Sequence, residues 1–250
     1  MKSKRPQFIN GEFYHIFNRG VEKRNIFQEV SDYFRFIFCL YELNDKKLIK
    51  MRDRIQERKT KKEKKYTEKY TGETGVSTGV SRENLVEVII FCLMPNHYHL
   101  VLRQLVDGGI SLFMKKMANG YTGYFNEKYD RKGMGGLFQG VFKAVHIKND
   151  RQLFILTNYI FTNPIELIEE KWKEMGVENP KKAIEFLKSY RWSNFLDCIG
   201  ISNFPSVTKR DFIIEFLGGS DKIEELVKDW ILYKTKFKKD FEEIKNIVFE

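Results

Sequence analysis

This chain of 250 residues has little cysteine and no long apolar run. Cys39, Cys92 and Cys198 are odd in number, far apart, and each set among apolar neighbours. That pattern fits buried free thiols in a reducing compartment better than a disulfide framework or a cysteine-based zinc site. No stretch approaches the roughly 20 apolar residues that a membrane span requires. Met1-Lys2-Ser3-Lys4-Arg5-Pro6 also lacks the apolar core of a secretory signal. The expected location is the cytoplasm, with no membrane contact. Nucleotide-binding glycine fingerprints are missing too, since Gly133-Met134-Gly135-Gly136 follows none of their spacings.

What the chain does have is aromatic residues and positive charge. Hydrophobic residues make up 42%, enough for a substantial core, and 22 are Phe. The formal charge is +10 and the pI about 9.3, a balance that favours polyanions, of which nucleic acid is the usual one. The excess is not spread evenly. Residues 45–72 hold 12 Lys+Arg against 5 Asp+Glu, and Gly, Ser and Thr dominate from 72 to 81. We read 45–83 as a basic insertion, either a solvated loop or an electrostatic arm on DNA.

Periodicity orders the rest. Residues 12–20 read as a strand closed by Gly20. Ser31-Asp32 reads as a helix cap, followed by Phe34, Ile37, Phe38 and Tyr41 at helical spacing. Residues 86–103 are two β-branched, aromatic-rich runs broken at Pro95, which predicts two strands meeting at a turn. A helix is expected over 110–129, where Gly120 and Gly123 weaken it or permit a close approach. A strand follows over 139–147 and a helix from Asn149-Asp150 to Asn163-Pro164. The first six elements give strand, helix, strand, strand, helix, strand. This is the order of an α+β, ferredoxin-like (RRM-like) antiparallel sheet with helices on one face. Helices continue beyond Pro164 into a C-terminal extension. There, 208–217 and 221–233 flank Gly218-Gly219 as either a helix-turn-helix or an ordinary helical hairpin. The expected division is a catalytic domain over 1–205, carrying the insertion, and a helical extension over 206–250.

Two constellations can carry chemistry. His97 and His99 are two apart on a strand, so their rings share a face and can converge on one metal ion, while Tyr98 faces away. Two polar residues opening a strand by chance would look the same. Tyr159 and Asn163 are four apart on the helix and share its face. If that helix lies beside the histidine strand, Asn163 offers an oxygen to the same ion and Tyr159 a hydroxyl next to it; otherwise Tyr159 is a core residue. His15 reads as a sheet-surface or hydrogen-bonded core histidine, and His146 as structural.

Met94-Pro95-Asn96-His97-Tyr98-His99-Leu100-Val101 followed by Tyr159-Ile160-Phe161-Thr162-Asn163-Pro164-Ile165 closely resembles the single-tyrosine HUH transposases, of the insertion-sequence and repeat-associated (RAYT-like) kinds. The second motif is similar to the latter's Tyr-Ile-x-x-Asn-Pro-Val signature, with Ile165 in the valine place. Further echoes are Tyr14-His15-Ile16, Asn18-Arg19-Gly20, Leu137-Phe138-Gln139 and Trp192-Ser193. The resemblance implies that His97, His99 and Asn163 bind Mg²⁺ or Mn²⁺ and that Tyr159 attacks single-stranded DNA to form a 5′-phosphotyrosine. It also implies DNA hairpins (palindromic elements) as the recognised feature, and leaves room for a homodimer that exchanges tyrosine helices. Arg19, Lys115, Lys116, Arg131 and Lys143 are the candidate DNA contacts. Two other readings stand beside it. One is a non-catalytic hairpin DNA- or RNA-binding regulator, and the other a relaxase- or replication-initiator-like nickase.

Overall fold

A computed structural model describes residues 5–47, 82–131 and 133–233. The basic segment expected over 45–83 lies mostly outside the described residues. Its two described ends are clasped together: the Lys46 amide donates to the Glu83 carbonyl at 2.9 Å, and Lys46 Nζ meets the Glu83 carboxylate at 2.9 Å.

The first six elements are β1 (Phe13–Arg19), α1 (Val30–Glu42), β2 (Val86–Met94), β3 (His97–Gln104), α2 (Gly109–Lys128) and β4 (Lys143–Ile147). The strands form one sheet in the order β2-β3-β1-β4, with every neighbouring pair antiparallel. That is the ferredoxin-like topology expected from the strand-helix pattern. Two boundaries differ from expectation. α1 begins at Val30, capped by Glu29, and Asp32 is the residue inside the first turn whose carboxylate accepts from the Glu29 amide at 3.0 Å. The fourth strand is shorter than 139–147 because Gly140 turns at φ +70° and Phe138 bridges instead to Gly20.

Period-two alternation divides the sheet residues between two cores. Tyr14, Ile16, Tyr98, Leu100 and Leu102 face α1 and α2, where they meet Phe36, Phe113 and Met117. The two helices approach closely at Gly120, where a Cβ would come within 2.9 Å of Leu43 Cδ1; Gly123 opens onto free space. Cys92, Met94 and Val101 face the other way, into a second core with α3 (Asp150–Thr162). Asn149 caps α3 by accepting from the Gln152 amide at 2.9 Å. After α3 come α4 (Trp172–Met175), α5 (Pro180–Ser189), α6 (Phe195–Cys198), α7 (Arg210–Phe216) and α8 (Ser220–Tyr233). Leu187, Ile213, Ile223, Val227 and Trp230 from these helices are buried in that second core. The two crossover helices thus occupy one face of the sheet as expected, and later helices cover the other.

The segment 190–194 closes the free edge of β2. The Leu93 amide donates to the Trp192 carbonyl at 2.9 Å. The fully buried Asn194 side chain accepts from the Phe91 amide and donates to the Ile89 carbonyl, each at 3.0 Å. An open strand edge would template pairing with other chains, and this segment blocks it. Asn194→Ala removes both bonds and leaves two buried backbone groups unpaired. It should lower unfolding free energy by about 2 kcal/mol or more, measured by urea denaturation.

Candidate functional site

The turn Pro95-Asn96 holds the two histidines at the start of β3. The Pro95 carbonyl accepts from the amides of Ile26 (2.8 Å) and Phe27 (3.0 Å), and the Asn96 carbonyl accepts from the Gly20 amide (2.8 Å). Gly20 also lets the following turn close, because a Cβ there would sit 2.2 Å from the Arg24 carbonyl oxygen. In register, His97 lies opposite Arg19 and His99 opposite Phe17. Tyr98 points to the other face and packs on Phe36. The two imidazoles therefore share a face, with ring centroids 5.0 Å apart and planes at 86°.

The hydrogen bonds of His97 define its tautomer. Nδ1 lies 2.6 Å from Asn96 Oδ1, which can only accept, so Nδ1 carries the proton. Nε2 then has its lone pair available and accepts from Asn163 Nδ2 at 3.0 Å. Nδ1 of the buried His99 lies 2.9 Å from Nε2 of the buried His15.

Asn163 stands where α3 gives way to a 3₁₀ turn, Asn163–Leu167, with φ −53° and ψ −39°. Pro164 ends the helix, and the side chain is carried over β3. Asn163 is wholly buried, and its Oδ1 has no hydrogen-bond partner. A buried acceptor left unsatisfied costs roughly 1–3 kcal/mol. A cation between the side chains, with the amide turned to present its oxygen, would remove that penalty. Two imidazoles and an amide oxygen, with further positions open to phosphate oxygens, suit a divalent ion such as Mn²⁺ or Mg²⁺. Among the described residues no cluster of three or more His, Cys, Asp or Glu offers an alternative. Cys92, opposite His99 in register, has its thiol pushed well up by burial and is a neutral neighbour.

Tyr159 lies one turn before Asn163. Its ring meets His99 edge to face, with centroids 5.8 Å apart and planes at 89°. The residue is 1% exposed. Its hydroxyl accepts from Lys173 Nζ at 3.2 Å, and Lys173 in turn pairs with Glu166 at 2.7 Å. Glu166 lines the pocket into which His97 and His99 open, so a polar chain runs from the pocket wall through Lys173 to the phenol. Neither Glu166 nor Lys173 is marked by any sequence motif. Their position depends on how the chain folds back after Pro164.

The other candidates separate. Arg19 and Lys143 line the histidine pocket with Lys23 and Gln139, and Arg19 Nε donates to Gln139 Oε1. Lys115 lines a neighbouring pocket that shares Asn18 and Tyr98 as walls. Lys116 is turned to the backbone and donates to the carbonyls of Asp45 and Lys47. Arg131 is 7% exposed, donates to Asn126 Oδ1 at 3.3 Å and lies over the Phe125 ring. His146 is apart from the site, paired with Glu12 at 3.0 Å and stacked on Tyr14.

No curated protein matches this chain. A solved structure of a REP-associated tyrosine transposase bound to a REP hairpin is 14% identical, with a TM-score of 0.48 over 82% of this chain and 90% of that one. That level of likeness fixes neither fold nor function. The family model of IS200-like transposases matches residues 57–163, a span that runs through β2, β3, α2, β4 and α3 and ends on Asn163. Over the span that holds both motifs, the chain thus matches the IS200-like transposases, in agreement with the single-tyrosine HUH resemblance carried by its own residues.

Proposed function

We propose that this protein is a transposase that nicks and rejoins single-stranded DNA beside hairpins. Tyr159 is the nucleophile, and His97, His99 and Asn163 are the ligands of Mg²⁺ or Mn²⁺. The observation that carries the reading is the contact of Asn163 with His97 Nε2 at 3.0 Å, one helical turn from a tyrosine whose ring abuts His99. Two motifs far apart in sequence are brought together there, which supports a shared metal and nucleophile. The hairpin partner rests on the family resemblance.

A bound cation would supply charge neutralisation at the scissile phosphate. The chain's residues do the rest. Arg19, Lys23 and Lys143 give the pocket a positive rim that attracts the DNA backbone. Lys115 extends that charge along the neighbouring pocket, while Lys116 and Arg131 act through the local fold. Lys173 stabilises negative charge on the Tyr159 oxygen; the phenol gives its proton to solvent, its oxygen bonds to phosphorus as the bond from phosphorus to the 3′ oxygen breaks, and the 3′ oxygen takes up a proton from solvent. Under this reading residues 1–205 form the catalytic domain, with 45–83 as a basic insertion, and 206–250 an extension. A homodimer is compatible with this arrangement.

The regulator reading, in which bases stack on an open sheet, has less support. The face bearing the histidines is covered by α3 and the later helices, so no RRM-type platform is exposed there.

Three results test the proposal. Incubated with hairpin-bearing single-stranded DNA and Mn²⁺, the protein should form a covalent adduct visible on denaturing gels. The adduct should be absent from Tyr159→Phe, and an adduct that persists removes Tyr159 as nucleophile. Asn163→Ala should weaken Mn²⁺ binding at least tenfold by calorimetry; unchanged affinity removes Asn163 from the ligand set. Lys173→Met should slow single-turnover cleavage about a hundredfold with DNA affinity nearly unchanged, and a wild-type rate would exclude its role.

A further inference from the structure

His15 lies outside the segment that matches the family model, yet its ring nitrogen lies 2.9 Å from that of a proposed ligand, His99. It sits on β1 two residues before Phe17, which is opposite His99, so His15 and His99 are diagonal neighbours on one face of the sheet. Their rings are nearly parallel, at 16°, with centroids 5.1 Å apart and Nε2 of His15 at 2.9 Å from Nδ1 of His99. Phe17 stacks on His15 at 4.7 Å and so fixes the plane of its ring. Both histidines are at most 1% exposed.

A hydrogen bond between two neutral imidazoles has a direction, and here the direction matters. If His15 Nε2–H donated, His99 would accept at Nδ1, carry its own proton on Nε2, and have no lone pair there for a metal. If His99 Nδ1–H donates, its Nε2 lone pair is directed at the proposed ion. Asn96 gives His97 that same arrangement, since its amide oxygen obliges Nδ1 of His97 to carry the proton. Ligating histidines generally donate their second ring N–H to such an outer partner, which sets both tautomer and ring angle.

Resting on the proposed function, we infer that His15 is a positioning residue for the metal site. It accepts from His99 Nδ1–H and so holds His99 in the tautomer that ligates through Nε2. It touches neither DNA nor ion. His15→Phe keeps a ring in the space but offers no acceptor; His15→Gln restores an acceptor oxygen near the former Nε2.

The test uses the full chain and Mn²⁺ alone, with binding followed by electron paramagnetic resonance and calorimetry. His15→Phe should weaken Mn²⁺ binding 10- to 100-fold, and His15→Gln should recover most of the loss, while both melt near the wild-type temperature without metal. Affinity within twofold of wild type in His15→Phe overturns the inference and leaves the tyrosine mechanism intact. Wild-type protein that binds no Mn²⁺ overturns both. A measurement on the unaltered protein covers the case in which His15→Phe does not fold: ¹⁵N NMR of labelled histidines in the metal-free state. Protonated Nδ1 and bare Nε2 on His99 is the expected signature, and Nε2–H on His99 refutes the assignment.

Discussion

Much of this structure depends on one contact, between the Asn163 side chain and Nε2 of His97 at 3.0 Å. It joins the end of α3 to the start of β3, while Leu153, Leu156 and Ile160 pack the helix against Cys92, Met94 and Val101 of the sheet. Asn163 keeps helical backbone angles, so it reaches the strand from the last helical position, and at Pro164 the chain turns into the 3₁₀ segment. The 3₁₀ turn that follows then brings Glu166 to the pocket wall, and α4, farther along, brings Lys173 to the phenol.

A second constraint is polarity in a dry place. His15, His99, Thr157, Asn158, Thr162 and Asn163 are all buried on the face that packs under the later helices. The threonines and Asn158 satisfy themselves locally, donating to backbone carbonyls of α3, as in the 2.7 Å bond from Thr157 to Leu153. The histidines and Asn163 satisfy one another between elements instead. Asn163 Oδ1 alone of that amide is left over. A core of ordinary apolar residues would be easier to stabilise, and the proposed metal site accounts for the part of this polar seam formed by His15, His99 and Asn163.

The sheet was legible because its signals are local. Alternating apolar residues, the break at Pro95, and the paired histidines specify two strands and a turn without any knowledge of the rest. The convergence of His97 and His99 on one face follows from period two alone. Joining that pair to Tyr159 and Asn163 needed the resemblance, because nothing in the spacing says which face of the sheet α3 covers. What stayed hidden depends on tertiary return of the chain. Lys173 and Glu166 belong to no motif, and Arg131 reads as a surface cation until its guanidinium is seen over Phe125. His15 read equally well as surface or core until its ring was found against His99.

In the proposed mechanism these separated residues enclose a single cation beside Tyr159. Crystals soaked in Mn²⁺ and measured near the manganese edge test it most directly. One anomalous peak should lie about 2.0–2.3 Å from Nε2 of His97, Nε2 of His99 and Oδ1 of Asn163. A map with no peak there at saturating Mn²⁺, or with the ion held by other side chains, would contradict the account.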